Sequence, residues 1–167
     1  MDIIFNRRSV RRYIDKPVED EKIDKMLRAA MQAPSAANQQ PWEFIVVKDK
    51  DMLKRLSEIS PYAKMTESAA LAVVLLGNKY NMKFEEYWQQ DMGAATQNLL
   101  LSAAYQDLGA VWLGVYPDKD RVDYIKELFD LPENVTAYGI VPVGYPDGQG
   151  NKFVDRYDES KVHYEKY

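Results

Sequence analysis

The stretch from Glu85 to Asp107, EEYWQQDMGAATQNLLLSAAYQD, limits the possible folds more than any other part of the chain. Trp88, Met92, Ala95, Leu99 and Ala103 recur at helical spacing and form one apolar stripe. Ala94, Leu100, Leu101 and Ala104 widen that stripe to nearly all-round apolarity. A helix apolar on several faces is buried on several faces. A chain of 167 residues suits one domain with a real core. A helix of this kind is therefore central to the domain or shared with a second subunit. Gly109 reads as its C-terminal stop.

The elements around it alternate. The acids of DEKIDKMLRAAMQA open a helix that carries Ile23, Met26, Leu27, Ala30 and Met31 on one face. It stops at Ala33, because a residue that precedes proline is pushed out of the helical region. EFIVVK reads as a buried strand, and Asp49 as the cap of a helix with Met52, Leu53, Leu56 and Ile59. LAVVLLG is a second strand and AVWLGVY a third. A helix with Val122, Ile125, Leu128 and Phe129 leads to a last strand near AYGIVPVGY, where Pro142 predicts an edge or a bulge. Four strands with helices between them give an α/β or α+β class, a sheet covered by helices.

Composition removes several chemistries. There is no cysteine, hence no disulfide, thiolate nucleophile or cysteine-held metal, and a single histidine, His163, gives little material for a metal site or a Ser-His triad. The net charge of −4 gives no reason to expect nucleic-acid binding. The charged N-terminus does not read as a signal peptide, and AALAVVLL is far too short to span a bilayer. The expectation is a cytoplasmic protein without membrane or nucleic-acid partners. GxGxxG after a strand and GxxxxGK are both missing, so a Rossmann or nucleoside-triphosphate site has no support.

Four motifs remain. NRRSVRRY places Arg7, Arg8 and Arg11 around Ser9, donors that could enclose a phosphate dianion or form a solvated basic patch. PSAANQQPW holds Ser35, Asn38, Gln39 and Gln40 between prolines, a polar bend that either reads a heterocycle edge or caps its own backbone. WLGVYP ends a strand, where Gly114 would let a ring approach the backbone, or where the strand merely turns a corner. Arg156, with Lys161 and His163, lies in a polar, aromatic tail, and Arg156 either adds charge to a phosphate or is an ordinary surface arginine. That tail carries enough apolar surface to pack on something, and a partner subunit suits it.

Together RRSVRRY, APSAANQQPWEFIVV, AATQNLLLSAAYQDLGAVWLGVYP and VPVGYP, in that order over nearly the whole chain, resemble the nitroreductase family of flavin enzymes. The resemblance implies an α+β fold, three-layer α/β/α with a central, mostly antiparallel sheet, in a single domain over residues 1–167. It implies an intertwined homodimer, with FMN at the subunit interface and an arm from about 147 to 167 on the partner. Arg7, Arg8, Ser9 and Arg11 would hold the phosphate and ribityl side, with Arg156 reaching the phosphate. Pro34, Ser35, Ala36 and Asn38 would come from the other subunit. Leu113 and Gly114 would bring backbone N–H groups to the reactive edge, and Lys64 would lie near the pyrimidine end. NADH or NADPH would be the electron donor, and a small electron-poor acceptor such as a nitroaromatic or quinone would follow it in ping-pong fashion. Reduction of quinones or enones, and flavin binding without turnover, are the alternatives. No protein residue is expected to act as a covalent catalyst, and no metal is expected. The segment from Gly77 to Glu85 is short, which implies a bare pocket and gives substrate choice to Tyr80, Phe84, Tyr87 and Trp88.

Overall fold

The structure, a computed structural model, describes residues 2–148 and 150–167. In chain order the regular elements are α1 (Asp2–Asn6), α2 (Asp20–Met31), β1 (Trp42–Val47), α3 (Lys50–Ser57), β2 (Leu71–Asn78), α4 (Trp88–Tyr105), β3 (Gly109–Ala110), β4 (Leu113–Gly114), α5 (Lys119–Leu128) and β5 (Val135–Gly144). Single 3₁₀ turns at Ala36–Asn38, Lys79–Asn81, Glu85–Tyr87 and Glu159–Lys161, and a longer 3₁₀ segment at Pro61–Ser68, connect them. The sheet order is β1-β2-β5-β3, with β4 also on β5, and every pairing between these strands is antiparallel. β2 lies inside the sheet and is buried from Leu71 to Gly77, as its run of branched residues requires.

Alternation along β2 sends its side chains to two cores. Leu71, Val73 and Leu75 meet α2 and α4 through Met26, Met92 and Leu99. Ala72, Val74 and Leu76 meet α3 and α5 through Leu53, Leu56 and Ile125. The result is the expected α/β/α layering. Two caps start helices where the sequence places acids. Asp49 accepts the Met52 N–H at 2.9 Å, and Asp118 accepts the Arg121 N–H at 3.3 Å.

Two readings change. α4 does not stop at Gly109. Asp107 takes the left-handed conformation, φ 61°, and the Leu108 N–H reaches back to the Ala103 carbonyl at 3.0 Å in a Schellman closure. Gly109 instead lies in β3, where an added Cβ would sit 2.5 Å from Val10 Cγ1 and 3.2 Å from Pro146 Cγ. Gly109→Ala is expected to destabilise the fold by about 1–3 kcal/mol through overpacking. Thermal unfolding checks this, and an unchanged melting temperature would remove the glycine's packing role.

AVWLGVY is not one strand. Ala110 pairs with Val143 and Leu113 with Ile140, but the ladder is broken at Val111 and Trp112. Their would-be partners are Pro142 and Val141 respectively. The Val143 carbonyl points to β2, where it accepts the Ala70 N–H at 3.0 Å, so the proline nitrogen faces the opposite side and has no N–H to give. β5 is thus an interior strand rather than an edge, with a one-sided gap at Pro142. It also carries a bulge: Leu75 pairs with Gly139 and Leu76 with Ala137, which leaves Tyr138 as the extra residue.

Candidate functional site

The arginine motif runs beside β3. Ser9 bridges Ala110, and the Val10 N–H donates to the Ala110 carbonyl at 3.0 Å. Val10 and Tyr13 pack on Ala69 and Met65, which brings the 3₁₀ segment carrying Lys64 against the same stretch. Lys64 itself is exposed. The tail reaches the motif from the other side. Phe153 stacks on Phe5 at 5.7 Å between centroids, and the Val154 N–H donates to the Phe5 carbonyl at 3.3 Å.

Three guanidinium groups gather here. Burial, and then the charges of Arg8 and Arg156, hold the Arg7 guanidinium below its usual range. Among the described residues no ion pair joins Arg7, Arg8 or Arg156 to a carboxylate. Like charges brought together without a counterion form a ready anion site. Arg8 is less free than the motif suggests. Its Nε donates to the Lys152 carbonyl at 2.8 Å, its Nη1 to the Arg7 carbonyl at 2.7 Å and its Nη2 to the Phe5 carbonyl, while its backbone N–H donates to Asn151 Oδ1 at 2.9 Å. Arg8 thus latches the tail to α1.

Leu113 and Gly114 lie on the same side of β5, three and four residues further along it, which puts Gly114 about 13 Å from Ala110 at roughly 3.3 Å per residue. A Cβ added to Gly114 meets nothing within 4 Å, so the backbone there is open to a ligand. Arg121, which sequence reasoning passed over, fixes this strand: its Nη1 donates to the Gly114 carbonyl at 3.0 Å while its Nε pairs with Asp118 at 3.1 Å. The chain here turns through a cis Tyr116–Pro117 bond.

The PSAANQQPW bend is elsewhere. Ala36 N–H donates to Asp91 Oδ1 at 2.9 Å, and Gln39 Nε2 to Asp91 Oδ2 at 2.6 Å. Gln39 Oε1 accepts the N–H groups of Lys83 and Phe84, each at 2.9 Å. The buried Gln39 and Asp91 thus pin the bend to the first turn of α4. Gln39 was read in the sequence as part of the polar bend, but its partner Asp91 was missed. The available signal was a carboxylate three residues after Trp88, on the buried stripe of an apolar helix. Part of the bend does solvate itself, since Ser35 Oγ accepts the Gln40 N–H at 3.0 Å and Asn38 Oδ1 accepts Gln40 Nε2 at 2.9 Å. Ala37, Asn38 and Gln40 all have left-handed backbones, φ 46°, 53° and 48°. Such residues cost of order 1–3 kcal/mol each and persist where surrounding contacts over-determine them, often at ligand sites.

The bend and the arginines sit towards opposite ends of α4. Asp91 and Tyr105 are 14 residues apart in sequence, about 21 Å at 1.5 Å per residue. Within one chain, Pro34, Ser35, Ala36 and Asn38 therefore stand apart from the anion cluster. Of the residues assigned to substrate choice, Tyr80, Phe84 and Tyr87 are exposed, but Trp88 is buried against Tyr116 and Tyr138.

A family model for nitroreductases matches residues 4–63 and 61–145. The chain belongs to the nitroreductase family. A crystal structure of a Clostridium acetobutylicum protein provisionally named NADH oxidase is 55% identical, with TM-score 0.98 over 99% of this chain and 100% of that one. An Archaeoglobus fulgidus protein provisionally named NADH dehydrogenase/NAD(P)H nitroreductase is 42% identical over 100% of this chain and 98% of its own length. The structure of an FMN-dependent nitroreductase from Clostridium difficile is 33% identical, with TM-score 0.90 over 99% of this chain and 98% of that one. Similarity to nitroreductases over the full length supports an oxidoreductase activity of the nitroreductase type. Among the described residues no helix is long and apolar enough to cross a membrane, and no group of histidine and acidic residues is placed to hold a metal.

Proposed function

We propose that this protein is an FMN-dependent oxidoreductase that works as an intertwined homodimer, with NADH or NADPH as donor and a nitroaromatic or quinone as acceptor. The observation that carries this reading is the guanidinium cluster, which among the described residues is ion-paired with no carboxylate, joined along β5 to an open backbone at Gly114. An elongated ligand with a phosphate at one end and a flat ring at the other fits that layout. Arg7 and Arg156 would take the phosphate, with Ser9 and Arg11 beside them and Arg8 holding the tail in place. Leu113 and Gly114 would edge the ring, and Lys64 would place a positive charge near it. Bound FMN would supply hydride acceptance from the nicotinamide and electron delivery to the acceptor.

The second subunit follows from what one chain leaves uncovered. Beyond Val154 the tail exposes Tyr157, Tyr164 and Tyr167, and Tyr105 is exposed on α4. Exposed aromatics in such number suit an interface. A partner's Pro34–Asn38 bend would then reach the ring that a chain's own bend does not. Steady NADH or NADPH oxidation by the FMN-loaded protein, dependent on added nitroaromatic or quinone, is the expected outcome. FMN binding without acceptor-dependent turnover would leave a flavin-binding protein that is not an enzyme.

A further inference from the structure

Gln39 is tied to two parts of the chain at once. An amide side chain has two donor hydrogens and an oxygen with two lone pairs, and here all four find partners. Nε2 donates to Asp91 Oδ2 on α4 at 2.6 Å and to the Phe84 carbonyl at 3.2 Å. Oε1 accepts the Lys83 and Phe84 N–H groups, each at 2.9 Å. The residue is buried, so a bond that opens here strands a polar group. The segment it holds, residues 79–87, is weakly built. Among the described residues it pairs with no strand, and its regular structure is two single 3₁₀ turns. Tyr80, Phe84 and Tyr87 are exposed, while Met82 packs on the core. Asn78 fixes the start, where its Oδ1 accepts the Tyr80 N–H at 3.0 Å, and Gln39 fixes the middle. A segment with so few buried contacts belongs to the low-stability end of a fold. On the other side of Gln39 lies the strained bend, with left-handed backbone at Ala37, Asn38 and Gln40. Such backbone holds only while its surroundings fix it.

We propose that Gln39 is a positioning residue that couples the bend to the 79–87 segment, so that FMN bound against the bend orders the segment as well. The proposal rests on the functional reading above, in which the bend meets a partner's flavin, and adds how loading of that site is passed on. A ligand that favours the strained bend favours the states in which the Gln39 amide is in place. Those are the states in which Lys83 and Phe84 have an acceptor. The effect is reciprocal, since loosening the segment must weaken FMN by the same factor. The Ser35 and Asn38 side chains accept from Gln40 inside the bend, and the Ala36 N–H is held by α4. Gln39 is the side chain that spans the two parts.

The test is amide hydrogen exchange, read by NMR on the purified protein with and without FMN. In the parent chain FMN should slow exchange at Ala36 in the bend and at Lys83 and Phe84 in the segment, each about fivefold or more, the low end of coupling between sites. With flavin retained in the visible band, unchanged exchange at Lys83 and Phe84 would overturn the proposal and leave Gln39 a static brace. Gln39→Met, close in shape but without the amide, should at saturating FMN keep the protection of Ala36 and lose the FMN-dependent protection of Lys83 and Phe84. Protection that survives there would mean that FMN acts on the segment directly, and would also overturn the proposal. Met82→Ala, on the segment side of the junction, decides the matter if Gln39→Met does not fold. It should weaken FMN about fivefold, and unchanged affinity in the folded variant would overturn the coupling. A parent chain that retains no flavin overturns the functional reading itself, and the proposal with it.

Discussion

Replacing both Arg7 and Arg156 with alanine is expected to weaken FMN binding by roughly 10²–10⁴-fold, at about 1.5–3 kcal/mol per charged contact and about 1.4 kcal/mol per factor of ten. The flavin-free protein should meanwhile lose no stability. The sign follows from the Arg7 shift. Folding lowers its affinity for a proton, through burial first and the charges of Arg8 and Arg156 next, so at neutral pH the folded chain disfavours this charge. Deleting it relieves that penalty, whereas a cation held in a favourable ion pair would stabilise the fold and be missed. Flavin titration and thermal melting of the same variant separate the two cases. A variant that binds FMN as well as the parent would take the phosphate away from this cluster.

Asp91→Ala should lower stability more than any other single change at a polar residue discussed here. It removes the acceptor for the Ala36 N–H and for Gln39 Nε2, both drawn into a region where Gln39 and Asp91 are buried. Stranding those donors costs about 3 kcal/mol. At roughly 2–4 °C per kcal/mol for a chain of this size, the melting temperature should fall by about 6–12 °C. The strained backbone at Ala37, Asn38 and Gln40 would lose its anchor, so FMN retention should fall with it. A melting temperature within a degree or two of the parent would show that the bend is held by other contacts.

Much of this layout was legible in the sequence because it depends on local rules. The β2 strand followed from an unbroken branched run, the starts of α2 and α3 from acids at their N-terminal ends, and the burial of α4 from its composition. What could not be read depends on partners distant in sequence. Gln39 meets Asp91 across 52 residues, and Arg8 meets Lys152 across 144. Gly109 looked like a helix stop because glycine serves two purposes, and only the approach of Val10 shows which applies. Pro142 signalled trouble for a ladder but not on which side. The same gap seats Trp112, which the sequence placed inside one continuous strand.

The most direct test of the central claim is the visible absorption spectrum of the purified protein, recorded before and after adding FMN and desalting. A retained flavin band is predicted, carried by the Arg7–Arg156 cluster and the open backbone at Gly114. A colourless protein that releases all added FMN would contradict the site, and would leave a nitroreductase fold whose guanidinium cluster serves some other anion.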